Sequence, residues 1–453
     1  MFYFFILKHM AAYIDFLNDL TNRNNSQYPE YSKDIKWVNY YQALEKEEER
    51  NQILNKLDKK INWSFKNTKP WINRLSKGCQ LCGEGEWSCL FITGKCNANC
   101  FYCPASQQND GIPSTQLTSF ENVDDYIAYL DFFGFKGASL SGGEPLLVFD
   151  RTLHYITNIR KALGDKIYLW MYTNGMLGSE DIFKKLARAG IDEVRFDIGA
   201  TNYNLKYLKL AKGIIPNLTV EIPAVPEELE TLKKIIPELI ETGVTNLNLH
   251  QLRLTNHNAP KLLKRNYTYL HGEQATVLES ELTALKIIDF VAENNLDIGV
   301  NYCAFHFKNR FQKAGFRKKV ASPFLDNDTQ LTENGYLRQI SANGSNYIIN
   351  GIKLIDIKSS EIFLNNQPAH ITYKGLIIDD HIENQQYVKK INIGNKAFFL
   401  RSGLAQKPIS VNHNQLLQFL KLFEINGQTI PDEDELFPLW KNEFIEWNLR
   451  EYF

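Results

Sequence analysis

The sequence has almost no net charge: 51 Lys and Arg stand against 52 Asp and Glu, a balance of −1 over 453 residues. No global positive field therefore draws the chain to nucleic acid or to an anionic lipid surface, although a local basic groove is compatible with that balance. Long apolar runs are missing as well. No stretch approaches the roughly 20 residues that a spanning helix needs. The apolar opening Met1–Leu7 stops at Lys8 and His9, lacks a basic region before it and a small-residue cleavage site after it, and so does not read as a signal peptide. With Tyr13, Phe16, Leu17 and Leu20 following at helical spacing, it reads as the start of an amphipathic helix, or as upstream sequence with Met10 as the start. Gly (26) and Pro (15) are too few for a low-complexity chain. A soluble, cytoplasmic protein is expected.

Cysteine is scarce, with seven residues, but its distribution is not random: positions 79, 82, 89, 96, 100 and 103 crowd together, and only Cys303 stands apart. An odd count with Cys-x-x-Cys spacing in a large chain without a secretion signal argues for metal or cluster ligation over disulfides. In Cys96-Asn-Ala-Asn-Cys100-Phe-Tyr102-Cys103, three thiols within eight residues can close on one iron–sulfur cube and leave one iron open. A simple electron-transfer cluster takes four Cys ligands, so the missing fourth points to catalysis.

The length exceeds what one hydrophobic core usually serves, and the 44% apolar content is enough to fill more than one. After the cysteines, strand-like runs (Leu90–Thr93, Ala138–Leu140, Ile167–Tyr172, Glu193–Ile198, Leu218–Ala224 and Asn246–Leu252) alternate with helical segments near 120–133, 150–163, 180–189, 202–212 and 227–242. Six βα units of this kind predict an α/β fold, a partial (βα)6 TIM-type barrel with active-site loops at the C-terminal strand ends. The predicted organisation is an N-terminal helical region (1–75), the barrel (76–325) and a C-terminal α+β domain (326–453). In the last, Tyr347–Ile349, Ile352–Ile357 and Ala369–Tyr373 read as strands, and 413–424 and 437–450 as helices.

Strand two runs into Ser141-Gly142-Gly143-Glu144-Pro145, where paired glycines let the backbone pass close to a bound group and Glu144 supplies an acceptor for an ammonium; a plain strand-to-helix turn explains the same residues. Strand three ends in Thr173-Asn174-Gly175, which ordinary turn chemistry also explains. Alternation places Arg195 with Asp197, then Glu221, then Asn246, Asn248 and His250 on one polar face of three successive strands, which predicts a wet lumen. Arg195 is a candidate for a ligand carboxylate or for a structural pair with Asp197. Asp197, Glu221, Asn248 and His250 are candidate substrate contacts, a buried hydrogen-bonded histidine being the blander reading of His250. Gly78-Cys79-Gln-Leu-Cys82-Gly83 forms a two-thiol clip; with Cys303, and Cys89 or His306 as a fourth ligand, it can hold zinc or a second iron–sulfur cluster.

The Cys96-x-x-x-Cys100-x-Tyr102-Cys103 spacing resembles the signature of the radical S-adenosylmethionine superfamily, and over residues 76–320 the chain is similar to its pyruvate formate-lyase activating enzyme-like group. The segments that carry the closer likeness include Phe91-Ile-Thr-Gly94, Asp192-Glu-Val-Arg195-Phe196 and Asn246-Leu-Asn248; Glu144 and Asp197 depart from the group, which often has Asp and His there. The resemblance implies a [4Fe–4S] cluster on Cys96, Cys100 and Cys103. It also implies S-adenosylmethionine contacted by Tyr102, Ser141, Gly142, Gly143, Glu144 and Asn174, with Arg195 a candidate. It further implies reductive cleavage of that cofactor to a 5′-deoxyadenosyl radical, and an electron donor of the flavodoxin or ferredoxin type. The substrate it favours is a protein or peptide, through glycyl-radical activation or another modification; a small metabolite is the alternative. A non-catalytic zinc or iron–sulfur protein is the competing class.

Overall fold

The computed structural model describes residues 11–116, 118–321, 325, 329–335, 337–360, 372–373, 376–377, 386–393, 396–404, 409–417 and 437. It divides into two compact units: residues 17–113 and 135–312 form one, and the described parts of 11–16, 114–134 and 313–437 form the other.

In chain order the elements are α1 (Ala11–Gln27), α2 (Tyr40–Leu57), β1 (Asn62–Ser64), β2 (Lys69–Ile72), α3 (Lys77–Glu84), β3 (Trp87–Thr93), α4 (Val123–Phe132), β4 (Gly137–Gly142), α5 (Phe149–Leu163), β5 (Tyr168–Thr173), α6 (Glu180–Arg188), β6 (Glu193–Phe196), β7 (Asn217–Pro223), α7 (Leu229–Thr242), β8 (Val244–His250), α8 (Glu279–Glu293) and β9 (Gly299–Cys303). Local chemistry sets many of the boundaries. Asn39 and Gln42 exchange side-chain-to-backbone hydrogen bonds in a capping box that starts α2. Ser179 caps α6, which carries Glu180 and Asp181 in its first turn and Lys185 and Arg188 in its last, as the helix dipole favours. The expected helix over 202–212 is reduced to one turn, Lys206–Lys209, because Asn202 and Tyr203 take positive φ and break the run.

The barrel strands lie in the order β1-β2-β9-β8-β7-β6-β5-β4-β3. β3 through β9 are mutually parallel, as the alternation predicts, but there are seven of them rather than six. β9 adds itself beside β8, setting Asn301 against Asn248 and Cys303 against His250, and β2 then pairs antiparallel with β9. One face of these strands (Val194, Phe196, Val220, Ile222, Leu247, Leu249, Val300 and Tyr302) is essentially inaccessible. Full burial of such a side chain is worth roughly 1.5–3 kcal/mol. On the opposite face the structure corrects the expectation of a wet lumen. Glu193, Arg195, Thr219, Asn248 and Asn301 are themselves buried, bonded to one another and to groups at the start of α3, which packs on β3, β4 and β5. Periodicity identified the polar side of the sheet; the occupant of that side is protein.

The second unit is built on an antiparallel sheet: β10 (Thr329–Leu331), β11 (Leu337–Asn343), β12 (Asn346–Ser360), β13 (Gln386–Ile393), β14 (Lys396–Leu404) and β15 (Ile409–Val411), in the order β10-β11-β12-β14-β13 with β15 on β12. The two runs read as separate strands within 347–357 are one long strand, irregular between Leu354 and Asp356. Residues 413–417 are helical, as expected, and Thr372–Tyr373 is a strand. Positions 1–10, 369–371, 418–424 and 438–450 of the expected elements lie outside the described residues. Among those described, no helix is long and apolar enough to cross a membrane.

Candidate active site

The loop after β3 carries Cys96, Cys100 and Cys103, and its base is latched. Gly94 N donates to Asp110 O (2.7 Å), Cys96 N to Gln107 O (3.2 Å), and Arg151 joins the Asp110 carboxylate (2.9 Å) to Ile92 O (3.1 Å). The paired glycines at the end of β4 have a steric cause visible in the protein itself. A Cβ on Gly142, whose φ is +123°, would lie 2.0 Å from Thr93 O, and one on Gly143 would lie 1.9 Å from Lys95 O. Gly143 N and Glu144 N donate to those same two carbonyls (2.8 and 2.7 Å), so the end of β4 rests directly on the start of the cysteine loop.

Glu144 is fully buried, and its carboxylate accepts from Leu146 N (2.9 Å), Thr173 Oγ1 (2.8 Å) and Asn174 N (2.7 Å). Burial raises its pKa to about 7 in spite of those bonds. The carboxylate read as an ammonium acceptor thus clamps the end of β4 to the end of β5. Asn174 continues the chain of contacts: its amide donates to Asn97 Oδ1 (2.7 Å) and approaches Cys96 Sγ (3.8 Å). Ser141, half-buried at the end of β4, lies beside Cys89. Tyr102 OH bonds the Asp197 carboxylate (2.8 and 3.0 Å), and a Cβ on Gly199 would press on that hydroxyl at 2.7 Å. Burial pushes the Asp197 carboxyl up to about 6 and the Tyr102 phenol well above its ordinary value.

Arg195 is elsewhere. Its guanidinium bonds Glu193 through Nε (2.9 Å) and Nη2 (3.2 Å), Glu221 through Nη1 (2.6 Å) and Ser76 Oγ through Nη2 (3.3 Å), and it touches Cys79 Sγ at 3.9 Å. Its five N–H groups are thus all engaged. Its partners are Glu193 and Glu221, not Asp197, and no donor remains for a ligand carboxylate. Glu221 and Asn248 belong to the same network (3.1 Å), and His250 Nε2 meets Glu221 Oε1 at 2.9 Å. The predicted substrate face therefore splits: Asp197 joins the cysteine-loop corner, while Glu221, Asn248 and His250 join the Arg195 network. Cys79, Cys82 and Cys303 do come together, around the ammonium of Lys69. Sequence reading missed Lys69, Asn97, Gln107 and Asn301; of these only Asn301 carried a signal, since it alternates with Cys303 on one face of β9.

The residues of the cysteine loop suit an iron–sulfur cluster. All three thiols are free of disulfides and half-buried. Burial raises Cys96 and carries Cys100 up to about 12, and a cation bound at the loop would favour their thiolate forms. N–H donors already face the sulfurs, Ala98 N to Cys96 (3.4 Å) and Gln107 Nε2 to Cys103 (2.7 Å). Among the described residues no three Cys, His, Asp or Glu side chains stand at metal-ligating distance in this structure, so the loop must tighten to bind.

Residues 90–222 match the family pattern of the radical SAM superfamily. A Methanocaldococcus jannaschii protein, provisionally named a glycyl-radical enzyme activating enzyme, is 31% identical over 284 residues, which is 58% of this chain and 72% of that one. The chain belongs to the radical SAM superfamily. This radical SAM enzyme also resembles a probable GTP 3′,8-cyclase of Methanococcus maripaludis, 32% identical over 36% of this chain and 49% of the relative. Among solved structures, Streptococcus suis SuiB bound to precursor peptide SuiA aligns over 64% of this chain and 65% of that one, at 13% identity and a TM-score of 0.38. The chain spans about half the length of the cyclases it matches. The cofactors of this radical SAM enzyme are those of its superfamily, a [4Fe–4S] cluster and S-adenosylmethionine.

Proposed function

We propose that Cys96, Cys100 and Cys103 hold the cluster, that Tyr102, Gly142, Gly143 and Asn174 border the adjoining place for S-adenosylmethionine, and that the enzyme modifies a protein or peptide. The observation that carries the site is the convergence of the cysteine loop, the Gly-Gly-Glu turn and Asn174 within hydrogen-bond distance at adjoining strand ends. When bound, the two cofactors supply one-electron cleavage of a carbon–sulfur bond and hydrogen abstraction from the substrate. The chain supplies position. Glu144 fixes two strand ends against each other, Gln107 and Ala98 direct N–H groups at sulfur, and Asp197 holds the Tyr102 ring beside the loop.

A protein substrate is supported by the likeness to a provisionally named activating enzyme over more than half of the chain, whereas the cyclases match only about a third. A flavodoxin- or ferredoxin-type protein would deliver the electron. The test is anaerobic reconstitution followed by reduction. 5′-Deoxyadenosine should be released from S-adenosylmethionine and lost in Cys100→Ala; an iron-loaded protein that releases none refutes the enzymatic reading. Adding size-fractionated extract then separates substrates. Stimulation by the protein fraction that protease treatment abolishes supports a protein or peptide, and stimulation by the small-molecule fraction alone overturns it.

A further inference from the structure

A second group of thiols lies on the inner face of the barrel, apart from the cysteine loop. Cys79 and Cys82 occupy successive turns of α3, i and i+3, and so share a face of that helix. Cys303 ends β9 and returns to them across more than two hundred residues of chain. Asn301 spans the group, its amide nitrogen 3.9 Å from Cys79 Sγ and its oxygen 3.5 Å from Cys303 Sγ.

Two features of the surroundings bear on what this group of thiols can hold. The first is Lys69, which is 1% exposed. Its ammonium contacts Cys303 Sγ, faces Cys79 and Cys82, and lies 4.5 Å from the Phe307 ring centre, and no carboxylate among the described residues pairs with it. An isolated buried ammonium costs several kcal/mol, and here only sulfur can carry the opposing charge. The second is His250, the cross-strand neighbour of Cys303. Its Nε2 is held by Glu221, which is itself fixed by Arg195 and Asn248, while its buried Nδ1 makes no well-formed hydrogen bond and the ring lies beside the Cys303 thiol. A carboxylate on one ring nitrogen with the other left bare is the arrangement that orients a metal-binding histidine.

We propose that Cys79, Cys82, Cys303 and His250 Nδ1 form a thiophilic metal centre inside the barrel, distinct from the cluster loop. Three thiolates and one imidazole make a closed tetrahedral zinc set, and the same donors also suit an iron–sulfur cluster. With Zn²⁺ the complex carries one net negative charge, which the Lys69 ammonium, together with the buried Lys308 that faces Cys303 and Cys82, offsets. In this structure that ammonium sits among the sulfurs, where it plays the part of the cation; on metal binding it withdraws to an outer position as the counter-charge, and the four donors, which do not stand at ligating distance here, close up. The centre would tie α3 to the end of β9 and so lock the helix against the inner face of the sheet.

The test starts from the Cys96→Ala, Cys100→Ala, Cys103→Ala triple variant, which removes the radical SAM cluster and makes the result independent of the proposed activity. One sample is refolded with zinc and another is reconstituted anaerobically with iron and sulfide. Each is then measured by elemental analysis and absorption. About one zinc per chain, or a sulfide-containing iron cluster absorbing near 400 nm, establishes the centre and identifies its metal. Adding Cys82→Ser or His250→Ala should lower the metal content severalfold, while circular dichroism reports that the fold persists. Under native conditions Cys79, Cys82 and Cys303 should react with a thiol reagent severalfold more slowly in the zinc-loaded sample than in the folded, metal-free one. A folded triple variant that retains neither metal, or one whose metal survives both added substitutions, overturns the proposal.

Discussion

Replacing Arg195 with methionine leaves two carboxylates, Glu193 and Glu221, buried on either side of the vacated guanidinium place without their shared cation. Arg195 and Glu193 are almost wholly inaccessible, and the Glu221 side chain is 9% exposed. Breaking a buried ion pair from one side costs about 3–5 kcal/mol, a large part of the roughly 5–15 kcal/mol that holds a domain together. The pH dependence should also change sign. In the native protein, burial acts to raise Glu221, but Arg195 and His250 outweigh it and hold its pKa well below the ordinary 4.5. Its contribution is therefore present above that value and is lost on acidification. In Arg195→Met burial dominates, the folded pKa rises above 4.5, and the contribution is present at low pH and lost as pH climbs. Urea titrations followed by tryptophan fluorescence at pH 5 and pH 8 measure both effects. The variant should be the weaker at pH 8 and recover part of its deficit at pH 5, and Glu221→Gln added to it should restore part of the loss at pH 8. A deficit below about 1 kcal/mol, the range of an exposed pair, or a deficit no smaller at pH 5, refutes the buried network.

Gly143→Ala puts a methyl where Lys95 O now lies 1.9 Å away, so the cysteine loop must move; iron content and S-adenosylmethionine affinity should both fall by about tenfold or more, read by elemental analysis and equilibrium dialysis, with global stability less affected. Tyr102→Phe removes the hydroxyl that donates to Asp197, a bond that lowers the Asp197 pKa. That pKa should rise above its present value of about 6, which carbon-13 NMR of labelled aspartate measures directly. Because it is already raised, its contribution to stability is greatest below the unfolded value near 3.8 and is lost as pH rises through 6; in the variant the loss should extend to higher pH.

The parallel strands and the cysteine loop were legible because each rests on local pattern: period-two alternation, helical spacing, and three thiols within eight residues. The Gly-Gly pair was legible as a place of close approach, but what approaches it is the backbone of Thr93 and Lys95. The contents of the barrel were not legible. Alternation marks Arg195, Glu221 and Asn248 as facing one way without saying that α3 lies there. The glycines that flank the two-thiol clip did hold a clue. A Cβ on Gly78 would lie 2.1 Å from Arg195 Nη2, and one on Gly83 would lie 2.1 Å from the Phe65 ring, so both record crowding by residues remote in sequence. Lys69 gave no signal, since a lysine in a short strand ordinarily points to water.

The order in which this chain is made gives the inner helix an awkward history. α3 and Lys69 leave the ribosome before any of the parallel strands, yet the sulfur that meets Lys69 comes 234 residues later. At about 5–20 residues per second that interval is roughly 10–50 s. Throughout it a cationic side chain and two thiols remain in water, and the sheet that will surround them assembles strand by strand. Enclosure waits for the last strand, so the slowest step of maturation should be its arrival, and truncation just before residue 299 should yield a chain held open and prone to associate.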